Sequence, residues 1–250
     1  MAGVVALAVV TLAACATVSL VPAHVTPLPV DVESRMIESD GQELRVDLYR
    51  PRGTGRHAAA IVLHGSGGIH AAVSSQASQY AQALAAQGIS AFVLHYFDGT
   101  GDYTANDSVE VANYSQWVRD VKAAVSWVRD RPDVQSTQVG LVGLSLGAWL
   151  AVGAAADDPR ISHIVLFGSG LEPFLRDRIT RMPPVLMFHG SDDTVVPVAQ
   201  ADTLARVLRA KRVRVRYRIV PGEGHDLSDS AATNALARAA RFLKSRRGVM

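Results

Sequence analysis

Short apolar runs alternate with longer amphipathic segments along most of this chain. Residues 43–49 alternate apolar and polar positions, which predicts an antiparallel strand with one exposed face. Later runs are short and largely apolar, as strands of a covered sheet are. They predict five more strands, at residues 58–63, 90–97, 138–142, 161–167 and 184–188. A further strand is predicted at residues 213–220, where apolar residues alternate with arginines, which fits an edge strand with one basic face.

Between these strands the apolar residues recur at helical spacing. Tyr114, Trp117 and Val121, for example, fall on one face of a helix over residues 113–130. The other predicted helices cover residues 74–87, 146–156, 198–211 and 231–244. Strand and helix in alternation predict parallel crossovers. We therefore expect one α/β domain over residues 35–248, with a mostly parallel central sheet of about eight strands and helices on both faces.

Composition supports a single globular domain and narrows the classes of partner. The chain has 250 residues, of which 48% are hydrophobic and 19% charged, enough for a large core. The formal net charge of +2 is too small to indicate a nucleic-acid partner. The body of the chain has no apolar run long enough to span a bilayer.

The N-terminal residues differ from the rest of the chain. Residues 2–14 carry no charge and have the length of the apolar core of an export signal, and residues 15–34 are predicted as a linker. The run ends in Leu-Ala-Ala-Cys, which resembles a bacterial lipobox, and Cys15 is the single cysteine. We expect an exported lipoprotein anchored through Cys15 to a membrane, on its periplasmic or cell-surface side. No Lys or Arg opens the segment, so a secreted protein, or a cytosolic one with an apolar terminus, remains an alternative.

Residues 143–147 read Gly-Leu-Ser-Leu-Gly and stand between a predicted strand and a predicted helix. This is the G-x-S-x-G pattern of a nucleophile elbow, in which a sharp turn exposes the central serine above the sheet. A helix N-cap serine in a glycine-rich turn is the structural alternative. The strand before and the helix after favour Ser145 as a nucleophile.

A serine hydroxyl needs a base, and the base needs a carboxylate to orient it. In the predicted order, the acid follows the strand at 184–188 and the histidine follows the strand at 213–220. Asp193 and His225 occupy these places. Asp192 is the competing acid, and we interpret it as a turn residue. Two backbone amides, those of Ser66 and Leu146, are predicted to form an oxyanion hole, because residues 64–68 close the strand at 58–63.

Together these motifs, over residues 37–243, resemble the dienelactone hydrolase family of the α/β-hydrolases. The resemblance rests on residues 63–68, the elbow at 143–147, the segment 189–197 and residues 222–225. Typical members use cysteine as nucleophile and carry a glutamate in the oxyanion loop, and their arginines hold a dicarboxylate lactone. This chain has Ser145, has Gly65 at the glutamate's place, and has no arginine in the acidic loop after Phe97. The resemblance implies the fold and the reaction class, but not the dienelactone substrate.

The expected reaction is hydrolysis of a small carboxylic ester or lactone through an acyl-enzyme, with no metal or organic cofactor. Four side chains are candidates for the substrate pocket or, equally, for core packing: Phe97, Trp149, Phe174 and Met182. Two alternatives stay open. One is a lipid-anchored, catalytically idle binding protein on the same fold. The other is a serine peptidase for short peptides, although such enzymes usually carry an additional domain over the site.

Overall fold

A computed structural model describes residues 20–69 and 75–245 of the chain. Its strands are β1 (Val30–Ser39), β2 (Gln42–Pro51), β3 (His57–Leu63), β4 (Ile89–Leu94), β5 (Val134–Leu144), β6 (His163–Phe167), β7 (Val185–Gly190) and β8 (Val215–Val220). Its helices are α1 (Gln76–Ala85), α2 (Asp107–Arg129), α3 (Leu146–Ala155), α4 (Val198–Ala210) and α5 (Asp229–Lys244). A short 3-10 helix covers Pro173–Leu175.

The eight strands form one sheet in the order β1-β2-β4-β3-β5-β6-β7-β8. Strands β1 and β2 are antiparallel to their neighbours, and β3 to β8 run parallel. The mostly parallel sheet predicted from the apolar runs is therefore confirmed. Because parallel strands point the same way, the loops after β3, β5, β7 and β8 meet at one edge of the sheet.

Helices cover both faces of this sheet, as expected. Strand β3 shows why, since Ile61 and Leu63 enter one apolar cluster while Ala60 and Val62 enter the other. The first cluster is completed by α2, α3 and α4, and the second by α1 and α5. A strand buried on both faces needs apolar residues throughout, which is why β3 reads as a continuous apolar run.

Several boundaries differ from the predictions by a few residues, and two differences are larger. Strand β1 begins at Val30, so the sheet starts inside the segment predicted as a linker. Most β1 residues are exposed or half-buried, which leaves little apolar pattern to recognise. Helix α2 begins at Asp107 instead of residue 113, because the Asn106 side chain accepts hydrogen bonds from the amides of Ser108 and Val109.

Cys15 and the predicted signal segment at residues 1–14 lie outside the described residues. Within residues 20–69 and 75–245, no helix is long and apolar enough to cross a membrane.

Candidate active site

Ser145 lies in a strained turn between β5 and α3. Its backbone φ is 51° and its ψ is −120°, a conformation that L-residues with side chains rarely adopt. The flanking glycines make the turn possible. A side chain at Gly143 would collide with the Ala148 backbone, and one at Gly147 would collide with the carbonyl oxygen of Leu63. The glycine positions of the sequence pattern are thus required by close backbone packing, and the serine is held at the carboxyl end of β5.

Asp193 and His225 are hydrogen-bonded to each other from two different loops. Asp193 follows β7, His225 follows β8, and the distance from His225 Nδ1 to Asp193 Oδ2 is 2.8 Å. The other carboxylate oxygen of Asp193 accepts the amides of Val195 and Val196, at 2.9 and 2.8 Å. Burial by itself raises the pKa of Asp193, but the hydrogen bonds from His225 and these amides outweigh it, and the pKa is lowered. Asp193 is therefore held as a buried carboxylate whose charge faces one edge of the His225 ring.

His189 gives this carboxylate a further support that the sequence analysis did not identify. Its Nε2 donates to the carbonyl oxygen of Val196 at 2.7 Å and lies 3.2 Å from Asp193 Oδ2. Since a carbonyl can only accept, the proton is on Nε2. The position of His189 directly before Gly190, at the start of the segment 189–197, was the available sequence signal.

Ser145 and His225 line the same open cleft, which has a volume of about 260 Å³. Residues 64–68, the predicted oxyanion loop, also line this cleft. Gly65 faces the serine so closely that a Cβ placed on it would lie 3.3 Å from Ser145 Cβ. Gly168 has a φ of 58°, and a Cβ there would lie 2.8 Å from His225 Cε1. Both glycines thus leave space for the nucleophile and base candidates to face one cleft.

Tyr96 holds the predicted oxyanion loop in place through two contacts with His64. The Tyr96 hydroxyl donates to the carbonyl oxygen of His64 at 2.8 Å, and the two rings stack with centroids 4.0 Å apart. The carbonyl oxygen of Ser66 accepts the amide of Ala105 at 2.8 Å, which fixes the loop from its other side. Leu146 is the first residue of α3, where amides have no acceptor within the helix. The two amides predicted as oxyanion donors thus belong to segments that are each held in place.

The four pocket candidates do not gather around Ser145. Phe97 is buried against His64 and Trp117 in the core. Trp149 packs against the same core cluster, and Phe174 is half exposed, with its ring edge-on to Tyr114. None of the four is among the described residues that line the 260 Å³ cleft.

Met182 is placed at the wrong end of the molecule for a substrate contact. The amide of its neighbour Arg181 donates to the carbonyl oxygen of Ala156, just beyond the carboxyl end of α3, whereas Ser145 lies at the amino end. Of the two roles considered for Met182, this placement and its packing against the core cluster favour core packing. A segment that crosses from one end of the sheet to the other cannot be located from apolar character alone.

The described residues contain no group of three His, Cys, Asp or Glu side chains that could hold a metal ion. A hydroxyl, an imidazole and a buried carboxylate in this order can transfer a proton from the hydroxyl to the ring while the carboxylate stabilises the resulting imidazolium.

Solved structures share this architecture. The chain aligns with P91, a dienelactone hydrolase-like promiscuous phosphotriesterase from metagenomic libraries, with a TM-score of 0.72, 16% identity, and coverage of 86% of this chain and 97% of that one. It also aligns with a puromycin-hydrolyzing peptidase of Mycobacterium tuberculosis, with a TM-score of 0.70, 17% identity, and coverage of 88% of this chain and 40% of that one. The fold is therefore the α/β-hydrolase fold.

The sequence comparisons identify the family within that fold. The model of the dienelactone hydrolase family matches residues 44–245, so the chain belongs to this family of hydrolases. Among curated proteins, esterase LipC of Mycobacterium tuberculosis is 27% identical over 82% of this chain. The chain spans 62% of the length of that relative.

Proposed function

We propose that this protein is a serine hydrolase that cleaves carboxylic esters or lactones, with Ser145 as nucleophile, His225 as base and Asp193 as the orienting acid. The observation that carries the proposal is the arrangement at the 260 Å³ cleft. A serine on a strained turn shares that cleft with a histidine whose other ring nitrogen is bound to a buried carboxylate. The esterase among the curated relatives supports the same class of substrate.

In the proposed reaction, His225 Nε2 accepts the Ser145 hydroxyl proton as Oγ attacks the ester carbonyl. Asp193 holds the proton on Nδ1 and stabilises the imidazolium. The oxyanion accepts hydrogen bonds from the amides of Ser66 and Leu146, each contributing on the order of 3 kcal/mol in the transition state. His225 then returns its proton to the leaving alcohol. A water molecule, deprotonated by the same ring, attacks the acyl-enzyme and regenerates Ser145 with release of the acid.

The size of the cleft favours small substrates. Its volume of about 260 Å³ is slightly below the usual range for small-molecule sites, roughly 300–1,000 Å³. It is also open to solvent, and its described walls include glycines and the polar side chains of Ser75 and Gln76. We infer a preference for short acyl groups over long aliphatic chains, because a long chain would leave the cleft and gain little apolar burial.

Peptide hydrolysis is the second candidate, favoured by the structural likeness to the mycobacterial peptidase. The same three side chains can attack an amide, but an amide requires protonation of a poorer leaving group. A binding protein without catalytic activity is the third candidate, since a shared fold does not establish activity.

The test is an assay of the purified protein with p-nitrophenyl esters from acetate to laurate and with p-nitroanilides of short peptides. We expect turnover of the short esters, falling as the acyl chain lengthens. The Ser145→Ala variant should lose on the order of 10⁴-fold or more of kcat, since removing a triad member has effects of that size.

A fluorophosphonate probe provides an independent measurement on the same samples. Labelling of the parent but not of Ser145→Ala is expected even if the natural substrate is absent from the panel. Turnover of anilides in preference to esters would replace the esterase proposal with the peptidase. Equal inertness of both proteins towards esters, anilides and the probe would contradict a catalytic role and favour the binding protein.

A further inference from the structure

The two ends of the parallel sheet carry charges of opposite sign. Around the proposed active site, at the carboxyl ends of the strands, exposed or half-buried acids dominate, including Asp98, Asp107, Glu110, Glu172 and Asp226. At the other end, exposed basic side chains stand before the strands or at the carboxyl ends of the helices. We name the following six the basic pole: Arg56, Arg181, Lys211, Arg212, Arg241 and Lys244.

The six side chains of the basic pole are not neutralised by nearby carboxylates. Within the described parts of the chain, none of them forms an ion pair within 4.0 Å. Several acids at that end pair with other basic residues instead: Asp31 with Arg52, Asp133 with Arg50 and Arg131, Asp157 with Lys122, and Asp158 with Arg160. Asp130 is exposed and belongs to none of these pairs. This single acid does not balance the six basic side chains of the pole, so this end of the sheet keeps an excess of positive charge.

The N-terminal segment joins the folded domain beside this pole. The amide of Leu28 donates to the carbonyl oxygen of Ala86 at 2.8 Å, and the Leu28 side chain lies against Gly88. Between them, the carbonyl oxygen of Gln87 accepts a hydrogen bond from Lys244 Nζ at 3.0 Å. Lys244, a member of the basic pole, thus binds the residue between Ala86 and Gly88, the two positions that contact Leu28.

The sequence before that segment is apolar. Residues 2–14 have no charge, and residues 15–19 connect them to Leu20, which is buried in the cluster on the α1 and α5 face. Five residues span at most about 18 Å. An apolar segment or a single lipid chain gives weak membrane binding by itself, and a neighbouring basic patch is the usual second contribution.

We propose that the basic pole docks on the surface of an anionic phospholipid bilayer, with the active site at the opposite end of the sheet facing away from the lipid. A six-residue strand is about 20 Å long, so the two ends are separated by about twice the screening length of physiological salt. The pole is therefore attracted to anionic headgroups while the acidic end is not. This inference does not depend on the proposed ester hydrolysis.

The test measures partitioning of the full chain onto two kinds of vesicle by flotation. One is phosphatidylcholine alone, and the other is phosphatidylcholine mixed with phosphatidylglycerol. Binding to neutral vesicles reports the contribution of the apolar N-terminal residues. The difference in binding between mixed and neutral vesicles reports the contribution of the basic pole. We expect tighter binding to the mixed vesicles, and an advantage that shrinks as salt is added.

Two variants that each remove three positive charges locate the effect. The pole variant is Arg56→Gln, Lys211→Gln and Arg241→Gln, and the control is Arg35→Gln, Arg119→Gln and Arg176→Gln. Each basic residue near an anionic surface contributes enough that three should change partitioning on the order of 100-fold. We expect the pole variant to lose this much binding to mixed vesicles and none to neutral ones.

The control variant should keep the preference for mixed vesicles. Circular dichroism of both variants checks that the fold is intact. The proposal is overturned if the parent binds both vesicles equally, if the pole variant keeps the preference, or if both variants lose it to the same extent. Equal affinity for soluble heparin and for mixed vesicles would assign the pole to polyanions in general, and would also overturn it.

Discussion

The molecule contains two aspartate–histidine pairs of almost the same geometry and quite different surroundings. The distance from His225 Nδ1 to Asp193 Oδ2 is 2.8 Å, and the distance from His95 Nε2 to Asp47 Oδ2 is 2.7 Å. In both pairs burial by itself raises the pKa of the carboxyl, but the hydrogen bonds and the charge attraction around it together outweigh burial, and the pKa is lowered. The bond between the two residues therefore does not distinguish an active site from a structural pair.

The second nitrogen of each ring makes the difference. His95 Nδ1 lies 2.8 Å from a guanidinium nitrogen of Arg45, and the His95 side chain is 4% exposed. His225 is 18% exposed and lines the cleft that Ser145 also lines. A ring with both nitrogens occupied stabilises the fold, whereas a ring that opens into a cleft shared with a serine is available for proton exchange. Four predictions test this comparison.

The largest effect is expected at the cleft. His225→Ala should lower kcat on short esters on the order of 10⁴-fold or more, because Ser145 loses its base. The free energy of unfolding should change by about 1 kcal/mol or less, since the ring is partly exposed and its partner keeps two amide hydrogen bonds. Ester kinetics and urea denaturation measure the two quantities. A variant that keeps most of its activity would show that His225 is not the base.

A substitution in the pair of Asp47 and His95 should lower stability strongly and activity little. His95→Leu leaves the Asp47 carboxylate buried without its main partner, and breaking a buried pair in this way costs about 3–5 kcal/mol. We expect a loss of that size in urea denaturation, with kcat of the remaining folded protein within a few-fold of the parent. Asp47→Asn is the matched control, because an amide in place of the carboxylate removes the buried charge and should be less damaging. Loss of kcat without loss of stability would place this pair in the catalytic machinery.

A third histidine shows what burial does without a carboxylate. His163, at the start of β6, packs its ring on Phe242, and burial lowers its pKa from 6.5 to about 4. Protonation below pH 6.5 therefore favours the unfolded chain, so the folded state loses stability as the pH falls from 6.5 towards 4. The loss amounts to about 3 kcal/mol.

His163→Leu should remove this part of the pH dependence. The measurement is the free energy of unfolding of parent and variant at several pH values between 7 and 4. The matched control is His24→Leu, at an exposed position, which should keep the slope of the parent. Parallel curves for the parent and His163→Leu would contradict the account.

The smallest effect is expected beneath the oxyanion loop. Tyr96→Phe removes the hydroxyl that binds the carbonyl oxygen of His64, at a cost of about 1 kcal/mol or slightly more. If Tyr96 positions the loop, kcat should fall about 10-fold or less with KM nearly unchanged. A loss of stability with unchanged kcat would assign Tyr96 to packing alone.

Local patterns account for most of what could be predicted. The turn at Ser145 needs glycines two positions away on either side, and both glycines lie within the five-residue motif at 143–147. Asp193 and His225 follow strands whose apolar runs are visible, so their loops could be placed at one edge of a parallel sheet. Strand β1 could not be found in this way, because its largely exposed residues have no apolar pattern.

Contacts between distant segments could not be predicted. His189 and Asp47 look like ordinary residues on strands, and their partners come from other elements. The sequence left Met182 equally open between the pocket and core packing, and the contact of its neighbour Arg181 with Ala156, at the far end of α3, favours core packing. The basic pole likewise draws its six residues from four parts of the chain.

The sequence by itself therefore determined the fold class, through the periodicity of its apolar residues. It also indicated the family and the order of the nucleophile, acid and base candidates, through short motifs that resemble those of known hydrolases. Tertiary structure decided which of two similar aspartate–histidine pairs faces a cleft, how Tyr96 holds the oxyanion loop, and where positive charge collects. The reason is physical. Hydrogen bonds and burial depend on distances in space, and the parallel sheet brings together residues that are far apart along the chain.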